Sequence, residues 1–157
     1  MSRFLDPPAN KPQIEAAKVD KEYKKMRTKV FLGAFVGYAA YYLVRKNLSL
    51  AAPDMINDGI LDVAKVGLAM SGVSIAYAFS KFIMGSVSDR SDSRKFLCLG
   101  LVLSALVMLA VGLIPYGSNV AFNTALIFVL MLVVGWLSGM GWPPCGRIMA
   151  HWFSQNE

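Results

Sequence analysis

Polarity along this chain falls into blocks. Residues 1–29 carry a charge every few positions, and then the fifteen residues from Val30 to Val44 carry none. A second apolar run, Val66–Val87, holds a single charge, Lys81. From Phe96 to Gly146 there is no Asp, Glu, Lys, Arg or His. A soluble fold could not solvate so bare a stretch, whereas it holds two membrane spans of about 20 residues each. The runs are continuous rather than alternating, so they predict helices and not barrel strands. The pattern thus predicts an all-α membrane protein. An N-terminal segment, 1–29, precedes a transmembrane region, 30–157, with helices at about 30–52, 66–87, 96–116 and 120–146.

Charge sets the expected orientation. Lys and Arg crowd residues 1–29 (Arg3, Lys11, Lys18, Lys21, Lys24, Lys25, Arg27, Lys29) and recur at Arg90, Arg94, Lys95 and Arg147. Loop 53–65 has only Lys65 against Asp54, Asp58 and Asp62. All the basic segments fall on one side, so the N-terminus is expected in the cytoplasm and the chain in the inner (plasma) membrane. The net charge of +6 then reflects membrane topology, and no nucleic-acid partner is implied. Residues 1–29 lack the short apolar core of a signal peptide. Cys98 and Cys145 are expected as free thiols packed as small hydrophobes. His151, the only histidine, leaves no metal-ligand spacing, and beside Trp152 it reads as a surface residue at the interface.

The first span poses the sharpest question, because Arg45 and Lys46 interrupt it. Ending at Val44, it would be about 22 Å long, short for a bilayer core; continuing to Ala52, with Pro53 and Asp54 as the stop, gives about 34 Å. Arg45 then lies about 6 Å from the midpoint, where a charge costs at least about 2.5 kcal/mol. Snorkelling suits Lys46 better than Arg45. Tyr38, Tyr42, Arg45 and Ser49 share one helix face, with Lys46 about 100° away. The second span repeats the pattern with Met70, Ser74, Tyr77 and Lys81. Two hydroxyl-bearing stripes that each end in a cation point to a water-filled cationic pathway. The spans hold Arg45, Lys46 and Lys81 and no acid, so either further helices supply carboxylates or the ligand is an anion. Arg donates two parallel hydrogen bonds to phosphate, which favours a phosphate-bearing solute over a carboxylate.

Two further motifs stand out. Gly135 and Gly139 form a small-xxx-small face for close helix approach. Pro143 and Pro144 are expected to break or kink the fourth helix. Gly139-x-Gly141 is no nucleotide loop, since no strand precedes it.

The loop Gly85-x-x-x-Asp89-Arg90-x-x-x-Arg94-Lys95 resembles the signature loop of the major facilitator superfamily, usually Gly-x-x-x-Asp-Arg-x-Gly-Arg-Arg. Here Asp92-Ser93-Arg94-Lys95 replaces Gly-Arg-Arg, one residue longer. With "FLGAFVGYAAYYLVRKN", "SGVSIAYAFSKFIMGSVSDRS" and "GMGWPPCGR", the chain resembles the organophosphate:phosphate antiporters of that superfamily from about Phe31 onward, on their glycerol-phosphate branch. The resemblance implies twelve helices in two six-helix halves, of which this chain holds four helices of the N-terminal half. It also implies exchange of glycerol 3-phosphate for inorganic phosphate, with no covalent chemistry and no cofactor. Arg45 would bind substrate, Lys81 would draw it along the path, and Tyr38, Tyr42 and Tyr77 would line the pore. Lys46 would pair with an acid of the other half, and Asp89, with Gly85, Arg90 and Arg94, would latch the cytoplasmic gate against a helix end or a neighbouring Arg. His151 does not match the family's site histidine, which lies in the fifth helix. The expected partners are the lipid bilayer, organophosphate, phosphate and a missing C-terminal half, making the chain a fragment. A hexose-phosphate antiporter and a transporter-like phosphate-ester sensor are the alternatives.

Overall fold

The computed structural model describes residues 3–8 and 15–153. Lys11 and Pro12 of the N-terminal segment lie outside the described residues. A 3-10 turn at Arg3–Leu5 precedes five helices: α1 (Ala16–Asn57), α2 (Val63–Asp89), α3 (Ser93–Leu113), α4 (Val120–Ser138) and α5 (Trp142–Trp152). Three helical stretches are long and apolar enough to cross a membrane: Val63–Asp89, Ser93–Leu113 and Val120–Trp152. α1, which carries Arg45 and Lys46 in its C-terminal half, is the helix expected to make the fourth crossing.

Local chemistry sets most of the boundaries. Asp62, Asp92 and Asn119 are N-caps, each accepting a backbone N–H of the first turn, from Lys65, Arg94 and Phe122 respectively. Lys65 also places its ammonium 2.7 Å from Asp62, and these two hydrogen bonds hold the Asp62 carboxyl below the usual carboxylate range.

Several boundaries differ from the expectation, most of all at α1, which begins at Ala16 and not at about residue 30, and at the end of α4. α1 is 42 residues long, about 63 Å, and runs straight through Pro53. Proline removes one ladder bond there, but Met55 is buried in the core and Ile56 packs against it, so tertiary contacts carry the last turn. The second difference is the break between α4 and α5, which falls at Gly139–Gly141, ahead of the prolines. A proline ring clashes with the carbonyl four residues back. For Pro143 and Pro144 those residues are Gly139 and Met140. The chain therefore leaves α4 through tight bonds three residues apart, from the N–H groups of Gly139, Met140 and Gly141 to the carbonyls of Trp136, Leu137 and Ser138. The prolines then sit in the first turn of α5, where no N–H is needed.

Packing follows the small residues. A Cβ on Gly135 would overlap the backbone of Val73, and one on Gly139 would overlap Ser80, so α2 and α4 approach backbone to backbone. Ser80 also donates its hydroxyl to the Trp136 carbonyl across this seam. The larger core cluster runs between α1, α2 and α4 through Leu48, Val73 and Met131. A smaller cluster of Ala34, Tyr41, Leu97 and Cys145 joins α1, α3 and α5. Tyr41 is buried and donates its hydroxyl to the Leu97 carbonyl at 2.8 Å. Cys145 is a buried free thiol as expected, whereas Cys98 is exposed.

Candidate functional site

The two cation-bearing stripes face each other across α1 and α2. Arg45 and Ser49 of α1 meet Met70, Ser74 and Tyr77 of α2 around an open cleft of about 400 Å³. Ser49 Oγ and Met70 Sδ are 3.9 Å apart and tie the two helices. Lys46 borders the same cleft instead of facing away from it. Positions 100° apart on a helix can both edge an opening this wide, particularly with a side chain as long as lysine's.

Beside the cleft, aromatic rings organise the cations. The Arg45 guanidinium carbon lies 4.6 Å from the Tyr77 ring centroid and 4.8 Å from that of Tyr42. The Lys81 ammonium lies 4.8 Å from the Tyr77 ring and 5.8 Å from the Trp142 ring. Tyr38 closes the circuit, with its ring 5.4 Å from both Tyr42 and Trp142. Each contact is attractive because the ring face is electron-rich. Arg45, Lys46 and Lys81 form no ion pair with any described residue. Ring faces steady the charges without neutralising them, so the arrangement can accept an anion carrying more than one negative charge.

Trp142 is the member of this circuit that sequence reasoning missed. It belongs to α5, and the break at Gly139–Gly141 is what turns it toward Lys81 and Tyr38. Its residue type gave no signal, because a Trp near a span end reads first as an interfacial anchor. The Gly and Pro residues around it were the usable clue.

A sequence profile of the Major Facilitator Superfamily matches residues 34–157. The chain belongs to the major facilitator superfamily. The glycerol-3-phosphate transporter of Bacillus subtilis (strain 168) is 46% identical over 157 residues, covering 100% of this chain and 34% of the relative. That of Haemophilus influenzae is 46% identical over 145 residues, covering 92% and 30%. The membrane sensor protein UhpC of Salmonella typhimurium is 35% identical over 160 residues, covering 100% and 34%. The chain spans about a third of the length of these curated relatives. It is a multi-pass membrane protein of a transporter superfamily.

In this major-facilitator chain the signature loop is short. Gly85 lies within α2, Asp89 ends that helix, Arg90 caps it and α3 starts at Ser93. Asp89 is exposed and makes no ion pair with a described residue. Arg94 is largely exposed, with Nε 3.8 Å from Asp92. The strong contact at the loop comes from Arg147 of α5, which donates to the carbonyls of Ser88 at 3.0 Å and Ser91 at 3.1 Å. Sequence reasoning had counted Arg147 only toward topology. His151 is exposed at the end of α5, and the adjacent Trp152 stacks on Tyr23 with centroids 5.9 Å apart.

Proposed function

We propose that the intact protein exchanges glycerol 3-phosphate for inorganic phosphate across the inner (plasma) membrane, with its N-terminus in the cytoplasm. The observation that carries this is the pair of half-buried cations, Arg45 and Lys81, held by ring faces and opposed by no acid among the described residues. Arg45 clamps the phosphate, because its planar fork matches two phosphate oxygens. Lys81 adds a point charge that draws the anion in, and Tyr38, Tyr42 and Tyr77 line its path. Lys46, at the cleft edge, pairs with an acid elsewhere in the full-length protein. Gly85, Asp89, Arg90 and Arg94 belong to the gate, which opens and closes as the two halves rock. Both gate states must bind phosphate comparably, or the anion would lock one of them. The preference for glycerol 3-phosphate over hexose phosphates is drawn from the relatives at 46% identity.

The test is phosphate exchange by the full-length protein in proteoliposomes. Arg45→Lys keeps the charge and loses the fork, so exchange is expected to fall about 10- to 100-fold. Exchange retained at the wild-type rate would refute the bidentate clamp.

A second reading has one observation in its favour, the likeness to a membrane sensor protein at 35% identity. A sensor would bind the phosphate ester and a partner membrane protein without carrying the solute. Substrate-dependent partner association with no uptake would establish it.

A further inference from the structure

The signature loop is held by contacts from α5 and from the N-terminal segment. Arg147 holds it through the Ser88 and Ser91 carbonyls. The N-terminal segment holds it as well. The Asp92 N–H donates to the Leu5 carbonyl at 2.9 Å. Lys95 donates its ammonium to the Phe4 carbonyl at 3.0 Å and sits 5.3 Å from the centroid of the Phe4 ring. Pro7 and Pro8 then line a cavity of about 340 Å³ together with Asp92, Arg94, Arg147 and His151. Asp92 and Lys95 are also residues at which this loop departs from the usual signature. At Asp92 the contact uses the backbone N–H, and at Lys95 it uses the side chain.

These contacts answer a local need. Asp92 is 7% exposed, and its N–H precedes the first turn of α3, where no helical carbonyl can reach it. Without Leu5 that buried donor has no partner among the described residues. Meanwhile the Ser88 hydroxyl is fully buried with no hydrogen-bond partner among the described residues. A desolvated, unpaired hydroxyl disfavours the arrangement that contains it. The loop as seen is thus held in place against a local penalty.

We propose that residues 3–8 are a strap that locks the signature loop against α2, α3 and α5, and that releasing the strap lets the loop take a second arrangement in which Ser88 is satisfied. The strap then biases the gate equilibrium, a role that rests on the transporter reading above. Phe4 is 60% exposed and could instead insert among lipid headgroups, which would leave Leu5 and Lys95 disengaged.

Hydrogen exchange of residues 88–96, in the full-length protein in nanodiscs, tests the strap independently of transport. Deleting residues 2–8 is expected to raise exchange of the Asp92 amide about tenfold, with residues 98–113 unchanged. Phe4→Ala keeps the carbonyl and should raise it about two- to threefold, and Lys95→Gln likewise. Unchanged exchange at Asp92 in all three variants would overturn the strap and favour the lipid-inserted segment. Phosphate exchange in proteoliposomes is the second readout, and the deletion should change its rate without changing phosphate affinity. Faster amide exchange with an unaltered transport rate would reduce the strap to a structural brace and overturn the gating claim. Absence of phosphate exchange in the wild type would instead sink the transporter reading, while the amide result still judged the strap.

Discussion

Tyr77 is the hinge of the site at the level of single residues. Its ring lies within 4.6 Å of the Arg45 guanidinium carbon and 4.8 Å of the Lys81 ammonium, so one side chain spaces two cations that would otherwise repel. Both of these contacts are made with the face of the ring. Tyr77→Phe is therefore expected to keep phosphate affinity within about twofold. Tyr77→Leu removes two cation–π contacts of about 0.5–1 kcal/mol each and should weaken binding roughly 5- to 30-fold. Trp142→Leu, which frees only Lys81 and Tyr38, should cost about three- to fivefold. Phosphate titration by calorimetry checks the order. Equal losses for Tyr77→Phe and Tyr77→Leu would show that the hydroxyl, and not the ring, is what matters. Tyr41, next to Tyr42 in sequence, illustrates the opposite fate. It is 3% exposed, is hydrogen-bonded to Leu97 and serves packing.

Between elements, the seam of α2 and α4 depends on two glycines. Gly135 meets the Val73 backbone and Gly139 meets Ser80, and backbone cannot move aside as a flexible side-chain end can. Gly135→Ala is expected to destabilise the fold by about 1–3 kcal/mol through overpacking, with Gly139→Ala similar or slightly milder. Gly33 and Gly67 have open space where a Cβ would go. Alanine there should be neutral or slightly stabilising, because both lie in helices. Thermal unfolding in detergent separates the two pairs. A Tm loss at Gly33 or Gly67 equal to that at Gly135 would mean that helix propensity, and not close approach, governs these sites. The glycine seam was readable from spacing alone, and so were the two hydroxyl stripes, because both follow from helical periodicity. The position of the α4–α5 break was not read correctly. The clash of a proline ring acts four residues upstream, so Pro143 and Pro144 moved the break to Gly139–Gly141 and aimed Trp142 into the site. The extension of α1 beyond Pro53 was hidden for a different reason, since Met55 and Ile56 hold that turn by contacts with distant parts of the chain. The Arg147 clamp was illegible too, because a backbone carbonyl that accepts a hydrogen bond leaves no mark in the sequence.

For the molecule as a whole, the distribution of charge predicts its orientation in the bilayer. The basic N-terminal part of α1, the signature loop and Arg147 are tied together by contacts: Tyr23 donates to the Trp152 carbonyl, Lys95 to Phe4, and Arg147 to Ser88 and Ser91. They therefore occupy one end of the bundle. The α1–α2 turn, with Asp54, Asp58 and Asp62 around it, lies at the other end of the same two helices. Positive residues are retained in the cytoplasm during insertion, whereas acidic residues have little influence. Single cysteines in a Cys98→Ala, Cys145→Ala background can read this directly with a membrane-impermeant maleimide. Asp58→Cys is expected to label in intact spheroplasts. Ser86→Cys and Ser93→Cys, near the signature loop, should label only after the membrane is opened. The reversed pattern would place the Arg45 and Lys81 cluster with the opposite polarity and would invert the direction assigned to the proposed gate. Labelling of all three sites in intact spheroplasts would mean that the bundle does not hold a single orientation, and no vectorial exchange could then be assigned to it.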